Sequence, residues 1–224
     1  MKSNINKIPP KVILWGSTGA AKEAKPVIEY YEAKVVAVFD DTKNLKSPFP
    51  DVPIYCGYDK FLAWLEGKDR ENIGFCLAIG NPHGRVRLNL HDRLIKEGLT
   101  PITFAHPSAV VAEDAIIGLG TQILAGAIID SGNVVIGKQC IINLNSVVSH
   151  DSVLEDGVEI GPSATVCGNV YIESNAWVGA GATVLPNIKI GHDAKVGIGS
   201  VVMKDVPKNK TVFGIPAKVL PFVE

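Results

Sequence analysis

The chain has 224 residues, of which 46% are hydrophobic and 20% charged, and its formal net charge is -1. This length can bury two modest hydrophobic cores, and the small net charge gives no reason to expect binding to nucleic acid. The longest apolar runs are strand-sized and interrupted by glycine, so the sequence predicts no membrane span, no signal peptide and a protein of the cytoplasm. The four cysteines form no CxxC pair, and we expect no metal site.

The first hundred residues alternate between strand-like and helix-like segments. Lys11–Trp15 is a short apolar strand followed by a helix-like stretch, and 34–39 is a second strand. Further along, 58–65 and 85–97 are predicted helices, with a third strand over 73–79 between them. This alternation predicts a small Rossmann-like parallel sheet with flanking helices.

Glycine and acidic residues follow the first two predicted strands. The turn 16–19 places backbone N–H groups and a helix N-terminus where a phosphate or ribose can approach. It lacks the full GxGxxG pattern, so a tight turn without a ligand is an equal alternative. An acidic pair ends the second strand, where open α/β sheets hold the base or ribose of a nucleotide, although such a pair also suits a solvated turn. The candidate substrate-binding residues of this region are Gly16, Ser17, Thr18, Gly19, Asp40 and Asp41.

The second half of the chain carries an aliphatic residue at every sixth position. This period fits a chain that turns a corner every six residues and points one aliphatic side chain inward per flat side. The phase moves by one residue near 131–135, which we interpret as a bulged corner. Three sides make one coil, so the pattern predicts about five coils of parallel β-helix. The series comprises Val111, Ile117, Ile123, Ile129, Ile136, Ile142, Val148, Leu154, Ile160, Val166, Ile172, Val178, Val184, Ile190, Val196 and Val202.

The α/β alternation stops, and the six-residue period begins, near Thr100 to Phe104. We therefore expect two domains. Residues 1–104 form the Rossmann-like domain, and residues 105–224 form the β-helix with a C-terminal closing segment.

The combined pattern resembles a known family. Its elements are the 16–19 turn, the Asp40-Asp41 pair, a His106-Pro107-Ser108-Ala109 linker and a hexapeptide helix with Asn143 and His150-Asp151. Nearly the whole chain is similar to the hexapeptide-repeat sugar acyltransferases, which acetylate the amino group of nucleotide-linked amino sugars, such as precursors of bacillosamine and perosamine, or hydroxyls of sialic acid. The resemblance implies a left-handed β-helix, acetyl-CoA as acyl donor, and a homotrimer with active sites between subunits.

The resemblance also implies roles for three residues of the repeat. His150 is the expected general base, Asp151 orients it, and Asn143 lies beside the acceptor pocket. The chemistry asks for such a base independently, because an ammonium cannot attack a thioester before it loses a proton, and histidine titrates near neutral pH. Neighbouring residues of a flat strand point to opposite faces, so Asp151 reaches the ring only if a corner turns it. His192 we interpret as an ordinary turn residue.

In the family, the pantetheine arm of CoA runs along small residues between adjacent coils of neighbouring subunits. The resemblance assigns Gly168, Ala180 and Gly181 to that stretch. In the closing segment, Lys204 and Lys218 are expected near the nucleotide phosphates of CoA. Solvated loop lysines are an equal alternative for these two side chains.

Two positions depart from the family pattern. Many members have histidine directly after the glycine turn and nine residues beyond the catalytic histidine, where this chain has Ala20 and Glu159. We expect Glu159 either to bind an acceptor ammonium or hydroxyl in the substrate site, or to be a solvated corner residue.

The leading prediction is an acetyl-CoA-dependent N-acetyltransferase of a nucleotide-linked amino sugar in bacterial surface-glycan biosynthesis. An O-acetyltransferase acting on a free sugar and a catalytically silent β-helix scaffold remain as alternatives. The sequence leaves open which sugar, which base and which sugar position are used.

Overall fold

The computed structural model describes residues 5–80 and 82–221, so Asn81 of the turn after the third predicted strand lies outside the described residues. The described residues of the N-terminal part form a parallel sheet of order β3-β2-β1-β4-β5 and three α-helices. Its elements are β1 Lys11–Trp15, α1 Gly19–Tyr30, β2 Lys34–Asp40, β3 Ile54–Cys56, α2 Tyr58–Leu65, a 3₁₀ turn Arg70–Asn72, β4 Ile73–Leu77, α3 Gly84–Lys96 and β5 Thr100–Pro101.

The predicted strands and helices of this part are confirmed, with small shifts at their ends. Strands β3 and β5 were not expected, because segments of three and two residues are too short to show a period. One side of the sheet packs an aromatic cluster in which Trp15 and Phe39 stack at 5.5 Å and Phe61 meets Phe39 edge-on at 5.3 Å. The other side carries α1 and faces the second half of the chain.

The second half is a triangular prism of parallel two-residue strands, which confirms the predicted β-helix. We name its three flat sides faces A, B and C in the order in which each coil visits them. Face A contains β6 Phe104–Ala105, β9 Gln122–Ile123, β12 Ile141–Ile142, β15 Glu159–Ile160, β18 Trp177–Val178, β21 Lys195–Val196 and the antiparallel end pair β23 Thr211–Phe213 and β24 Lys218–Val219. Face B contains β7 Val110–Val111, β10 Ile128–Ile129, β13 Val147–Val148, β16 Thr165–Val166, β19 Thr183–Val184 and β22 Val201–Val202. Face C contains β8 Ile116–Ile117, β11 Val135–Ile136, β14 Val153–Leu154, β17 Tyr171–Ile172 and β20 Lys189–Ile190.

Among the described residues, five coils contribute a strand to every face, and a sixth contributes strands to faces A and B. The second residue of most strands points inward, and these aliphatic side chains form one continuous buried core. The expected inserted residue is present, because Val135 pairs with Ile116 one residue later than the regular eighteen-residue repeat that pairs Val153 with Tyr171. The extra residue lies in the corner 130–134, where Gly132 and Asn133 have φ of 93° and 63°.

The sheet of the N-terminal part lies against face A. The outward-pointing Gln122, Ile141 and Glu159 of that face are 2 to 4% exposed. The amide of Gln122 donates a 2.8 Å hydrogen bond to the carbonyl of Leu77 in β4. The chain passes from sheet to prism between β5 and β6, and Phe104 already pairs with Gln122 of face A, so the division that we propose lies just before residue 104 rather than after it. The corner between faces B and C is the one that does not border the covered face A.

Candidate functional site

The corner between faces B and C of the third coil carries His150 and Asp151. The Nδ1 atom of His150 lies 2.9 Å from Oδ2 of Asp151, and both side chains are more than half exposed. Asp151 has a φ of +57°, so the corner turns two adjacent side chains towards each other. The structure thus brings together the base and the orienting acid that the sequence predicted, in a solvent-accessible position.

The Asp151 carboxylate receives a second hydrogen bond from the bulged corner one coil below. The side-chain amide of Asn133 donates to Oδ1 at 3.3 Å, and the backbone N–H of Asp151 donates to the carbonyl of Gly132 at 2.6 Å. The hydrogen bond with His150, and then the one from Asn133, lower the pKa of Asp151 below its ordinary value, against a smaller opposing effect of burial. Asp151 therefore stays ionised beside the imidazole.

The imidazole ring of His150 lies over Gly168, which occupies the same corner one coil above. A Cβ atom placed on Gly168 would be 2.4 Å from Cε1 and 2.5 Å from Nε2 of the ring. On the coil below, a Cβ atom on Gly132 would be 3.2 Å from Cβ of His150. Glycine on both sides thus leaves room for the ring at this corner.

A pocket of about 460 Å³ opens at the carboxyl ends of β1, β2 and β4, which is where parallel sheets commonly bind nucleotides. Five of the six residues predicted for this edge line it, namely Gly16, Ser17, Thr18, Asp40 and Asp41. Gly19 begins α1 instead, and a Cβ there would meet no atom within 4 Å. Gly16 is required by geometry, because it has φ +105° and a Cβ would lie 2.2 Å from the carbonyl oxygen of Ala78.

The two carboxylates of the pocket have different surroundings. Both oxygens of Asp40 accept hydrogen bonds, from the hydroxyl of Ser17 at 2.7 Å and from the backbone N–H of Thr42 at 2.9 Å. Burial raises the pKa of Asp40, but these hydrogen bonds together outweigh it, and the pKa lies below its ordinary value. Asp40 therefore stabilises the glycine turn, whereas the Asp41 side chain is exposed and lines the pocket.

Sequence reasoning missed part of the pocket lining. The remaining lining residues are Thr42, Ala78, Ile79, Gly80 and His83. A signal was present, because the third predicted strand runs into a glycine turn, and the carboxyl ends of neighbouring parallel strands meet at one edge.

The other candidate residues of the β-helix fall at different corners. Asn143, Ala180 and Gly181 lie at the corner between faces A and B, which is at the opposite end of face B from His150. Gly168 and Lys204 follow the stacked strands β16 and β22 and therefore share the corner of His150. Lys218 is exposed in the end pair on face A. One chain consequently does not gather all the predicted groups around His150.

Glu159 does not lie in a substrate site, contrary to both expectations for it. It is 2% exposed in β15 on face A, and its Oε2 lies 3.4 Å from Nη1 of Arg87 in α3, which is itself fully buried. The N-terminal part covers this position, so Glu159 is neither a ligand for an acceptor nor a solvated corner residue.

His192 and Asp193 form a second pair with the same local geometry. Their Nδ1 and Oδ2 atoms are also 2.9 Å apart, and Asp193 has φ +55°. Here, however, the carboxylate also accepts two hydrogen bonds from the guanidinium of Arg85. A His-Asp pair at a corner is thus a local product of the fold, and the further partner of the carboxylate distinguishes the two.

Within residues 5–80 and 82–221, no group of three His, Cys, Asp or Glu side chains is arranged to hold a metal ion. Over the same residues, no helix has the length and apolarity that a membrane crossing needs.

Two protein-family models match the chain. The PglD N-terminal domain matches residues 11–94, and the bacterial transferase hexapeptide (six repeats) matches residues 169–205. A GDP-perosamine N-acetyltransferase from Escherichia coli is 38% identical over 99 residues, which are 44% of this chain and 43% of that protein. The match thus spans less than half the length of this curated relative.

Solved structures match over nearly the full length. The crystal structure of PerB from Caulobacter crescentus in complex with CoA and GDP-perosamine has a TM-score of 0.83 and 31% identity, covering 94% of this chain and 97% of that one. The acetyltransferase domain of PglB from Neisseria gonorrhoeae in complex with acetyl coenzyme A has a TM-score of 0.82 and 26% identity, covering 94% of this chain and 99% of that one. These matches confirm the predicted fold class, an α/β domain followed by a left-handed β-helix, and the predicted resemblance: the chain belongs to the hexapeptide-repeat sugar acyltransferase family.

Proposed function

We propose that this protein transfers an acetyl group from acetyl-CoA to the amino group of a nucleotide-linked amino sugar. The observation that carries the proposal is the exposed His150–Asp151 pair, with Nδ1 and Oδ2 2.9 Å apart, on a fold shared with PerB in complex with CoA and GDP-perosamine. The pocket at the carboxyl ends of the parallel strands supports the proposal, because nucleotides commonly bind at this edge of a parallel sheet. The predicted role in surface-glycan synthesis stays a prediction.

In the proposed reaction, the amine nitrogen attacks the thioester carbonyl carbon, a C–N bond forms, and the C–S bond breaks to release CoA. Because Nδ1 of His150 engages Asp151, Nε2 is the ring nitrogen that accepts the proton of the amine. The same proton then passes to the departing thiolate, so the histidine ends the cycle unchanged. The ionised Asp151 stabilises the imidazolium that exists between these two transfers.

The donor is proposed to lie along the corner between faces B and C. Lys204 occupies this corner three coils above His150, and coils are about 4.8 Å apart, so about 14 Å separates the two positions. An extended pantetheine arm covers such a distance when the lysine meets the phosphates of CoA and the thioester reaches the histidine. Gly168 lies between them, one coil above His150, and has no side chain to displace the imidazole ring.

A homotrimer would complete the site, because one chain places the candidate groups at two different corners. Asn143, Ala180 and Gly181 lie at one end of face B, and His150 lies at the other. Three parallel prisms around a threefold axis would place the A–B corner of each copy beside the B–C corner of its neighbour. The same contact would then occur three times in a closed ring. The outward positions of face B are uncharged, which favours burying this face: Val110, Ile128, Val147, Thr165, Thr183 and Val201.

The test is release of free CoA from acetyl-CoA with uridine-, thymidine- and guanosine-linked 3- or 4-amino sugars. Turnover on one of them, reduced about 10²- to 10⁴-fold in His150→Ala, is the expected result. His192→Ala is the matched control, because it removes the histidine of the other His-Asp pair. Acetylation of a sugar hydroxyl instead, or no release of CoA with any acceptor, would reject the proposal, and a monomeric mass in solution would reject the trimer.

A further inference from the structure

We propose that Asn133 is a positioning residue, which aims the Asp151 carboxylate at His150 while leaving its negative charge uncompensated. The inference rests on the proposed function, in which His150 moves the proton. Asn133 itself lies one coil below the histidine, and it acts through the carboxylate.

The bulged corner that carries Asn133 is anchored from the first coil. Oδ2 of Asp114 accepts hydrogen bonds from the backbone N–H groups of Gly132 at 2.7 Å and of Asn133 at 3.3 Å. These two bonds lower the pKa of Asp114 below its ordinary value, against a smaller opposing effect of burial, so its side chain stays an acceptor at neutral pH. The backbone of the bulge is therefore held, and with it the start of the Asn133 side chain.

From this anchored corner, two hydrogen bonds fix Asp151. The carbonyl of Gly132 accepts a hydrogen bond from the backbone N–H of Asp151, and the side-chain amide of Asn133 donates one to Oδ1. Oδ2 of Asp151 then faces Nδ1 of His150. A carboxylate held at one oxygen and at its backbone has little freedom to rotate. The histidine consequently meets a fixed acceptor at the moment it becomes charged.

The second His-Asp pair shows what a different partner would do. The carboxylate of Asp193 forms a bidentate ion pair with Arg85. The positive charge of Arg85 weakens the attraction of this carboxylate for a protonated His192. Asn133 is neutral, so it orients Asp151 by hydrogen bonding alone. This difference in partner charge is the reason to assign the positioning role at the His150 corner.

The test compares Asn133→Gly with Asn133→Asp. Glycine accepts the φ of +63° at this position and removes only the amide, whereas aspartate keeps the shape and sets a like charge against Asp151. We expect kcat to fall about ten- to a hundredfold in Asn133→Gly and further in Asn133→Asp, with KM for both substrates unchanged. Asn209→Gly is the matched control, since Asn209 is another exposed corner asparagine with φ +59°.

An unchanged kcat in Asn133→Gly, or an equal loss in Asn209→Gly, would overturn the inference. A second readout does not depend on turnover and separates this inference from the proposed function. In a ¹⁵N–¹H spectrum with His150 assigned by its loss in His150→Ala, the imidazole should carry its proton on Nδ1, and Asn133→Gly should shift this tautomer towards a mixture. The same tautomer signal in both proteins would overturn the positioning role even if the enzyme proves to use another acceptor.

Discussion

Arg87 and Glu159 form a buried ion pair that joins the two halves of the chain. Nη1 of Arg87 lies 3.4 Å from Oε2 of Glu159, and the side chains are 1% and 3% exposed. The guanidinium also donates to the carbonyls of Gln139, Ile79 and Gly157 at 3.0, 3.0 and 2.8 Å. Since Ile79 lines the sheet pocket, the same arginine connects that pocket to the third and fourth coils.

Arg87→Met should destabilise the protein by about 3–5 kcal/mol, because it leaves Glu159 buried beside an apolar side chain. Glu159→Met should cost a similar amount for the converse reason. The free energy of unfolding in urea is the measurement, and the double variant should lose much less than the sum of the two single losses. Additive losses would show that the two charges do not depend on each other.

Gly168→Ala should lower kcat about tenfold or more while the fold is kept. A Cβ would fall within 2.5 Å of two ring atoms of His150, and this half-exposed ring can swing into solvent to avoid it. Steady-state kinetics beside a thermal unfolding curve measure the two effects. Full activity with an unchanged unfolding temperature would mean that the ring does not need the space above Gly168.

Asp40→Asn should destabilise the protein at neutral pH by about 1 kcal/mol, after allowance for solvent screening. The hydrogen bonds from Ser17 and Thr42 keep the pKa of Asp40 below its ordinary value of 3.8 despite burial. A lowered folded-state pKa contributes stability that is complete above that ordinary value and is lost as the pH falls through the folded-state pKa. Urea unfolding of both proteins between pH 7 and pH 3 should therefore show a difference that shrinks in acid, and a constant difference would contradict this origin.

Lys204→Ala should raise KM for acetyl-CoA a few-fold, equivalent to about 1 kcal/mol for an exposed charge pair, with little change in kcat. The increase should diminish at high salt, because salt screens an exposed contact with phosphate. Lys208→Ala serves as the control. Lys208 is also exposed, but it lies just after Val206, which pairs with Ile190 of face C, and therefore at a different corner from Lys204. Equal effects of the two substitutions would reduce the role of Lys204 to general surface charge.

The β-helix was predictable in detail because a six-residue period assigns each residue both a face and a corner. The period alone thus assigns His150 and Asp151 to a turn, and the shift of phase near 131–135 locates the bulge beside them. The contact between Asn133 and Asp151 follows from the same eighteen-residue repeat, which sets residues of adjacent coils side by side.

Contacts between the two halves were not predictable in this way. The period places Glu159 on an outward position of face A, but it carries no information on what covers that face. The covering residue, Arg87, lies 72 positions earlier in a helix whose burial depends on docking. The pocket lining beyond Asp41 was missed for a related reason, since the order of strands in the sheet decides which turns become neighbours.

Because each regular coil of the β-helix takes eighteen residues, inserting or deleting one coil would change the length of the prism by about 4.8 Å. Eighteen extra residues inserted between the fourth and fifth coils would move Lys204 about 4.8 Å farther from His150 and leave the sheet, the pocket and the His150 corner where they are. The same insertion between the second and third coils would instead separate Asn133 from Asp151. An insertion in the upper coils would therefore spare the His150 corner and break the contact of Arg85 with Asp193, whereas the contact of Asn133 with Asp151 requires the second and third coils to stay adjacent.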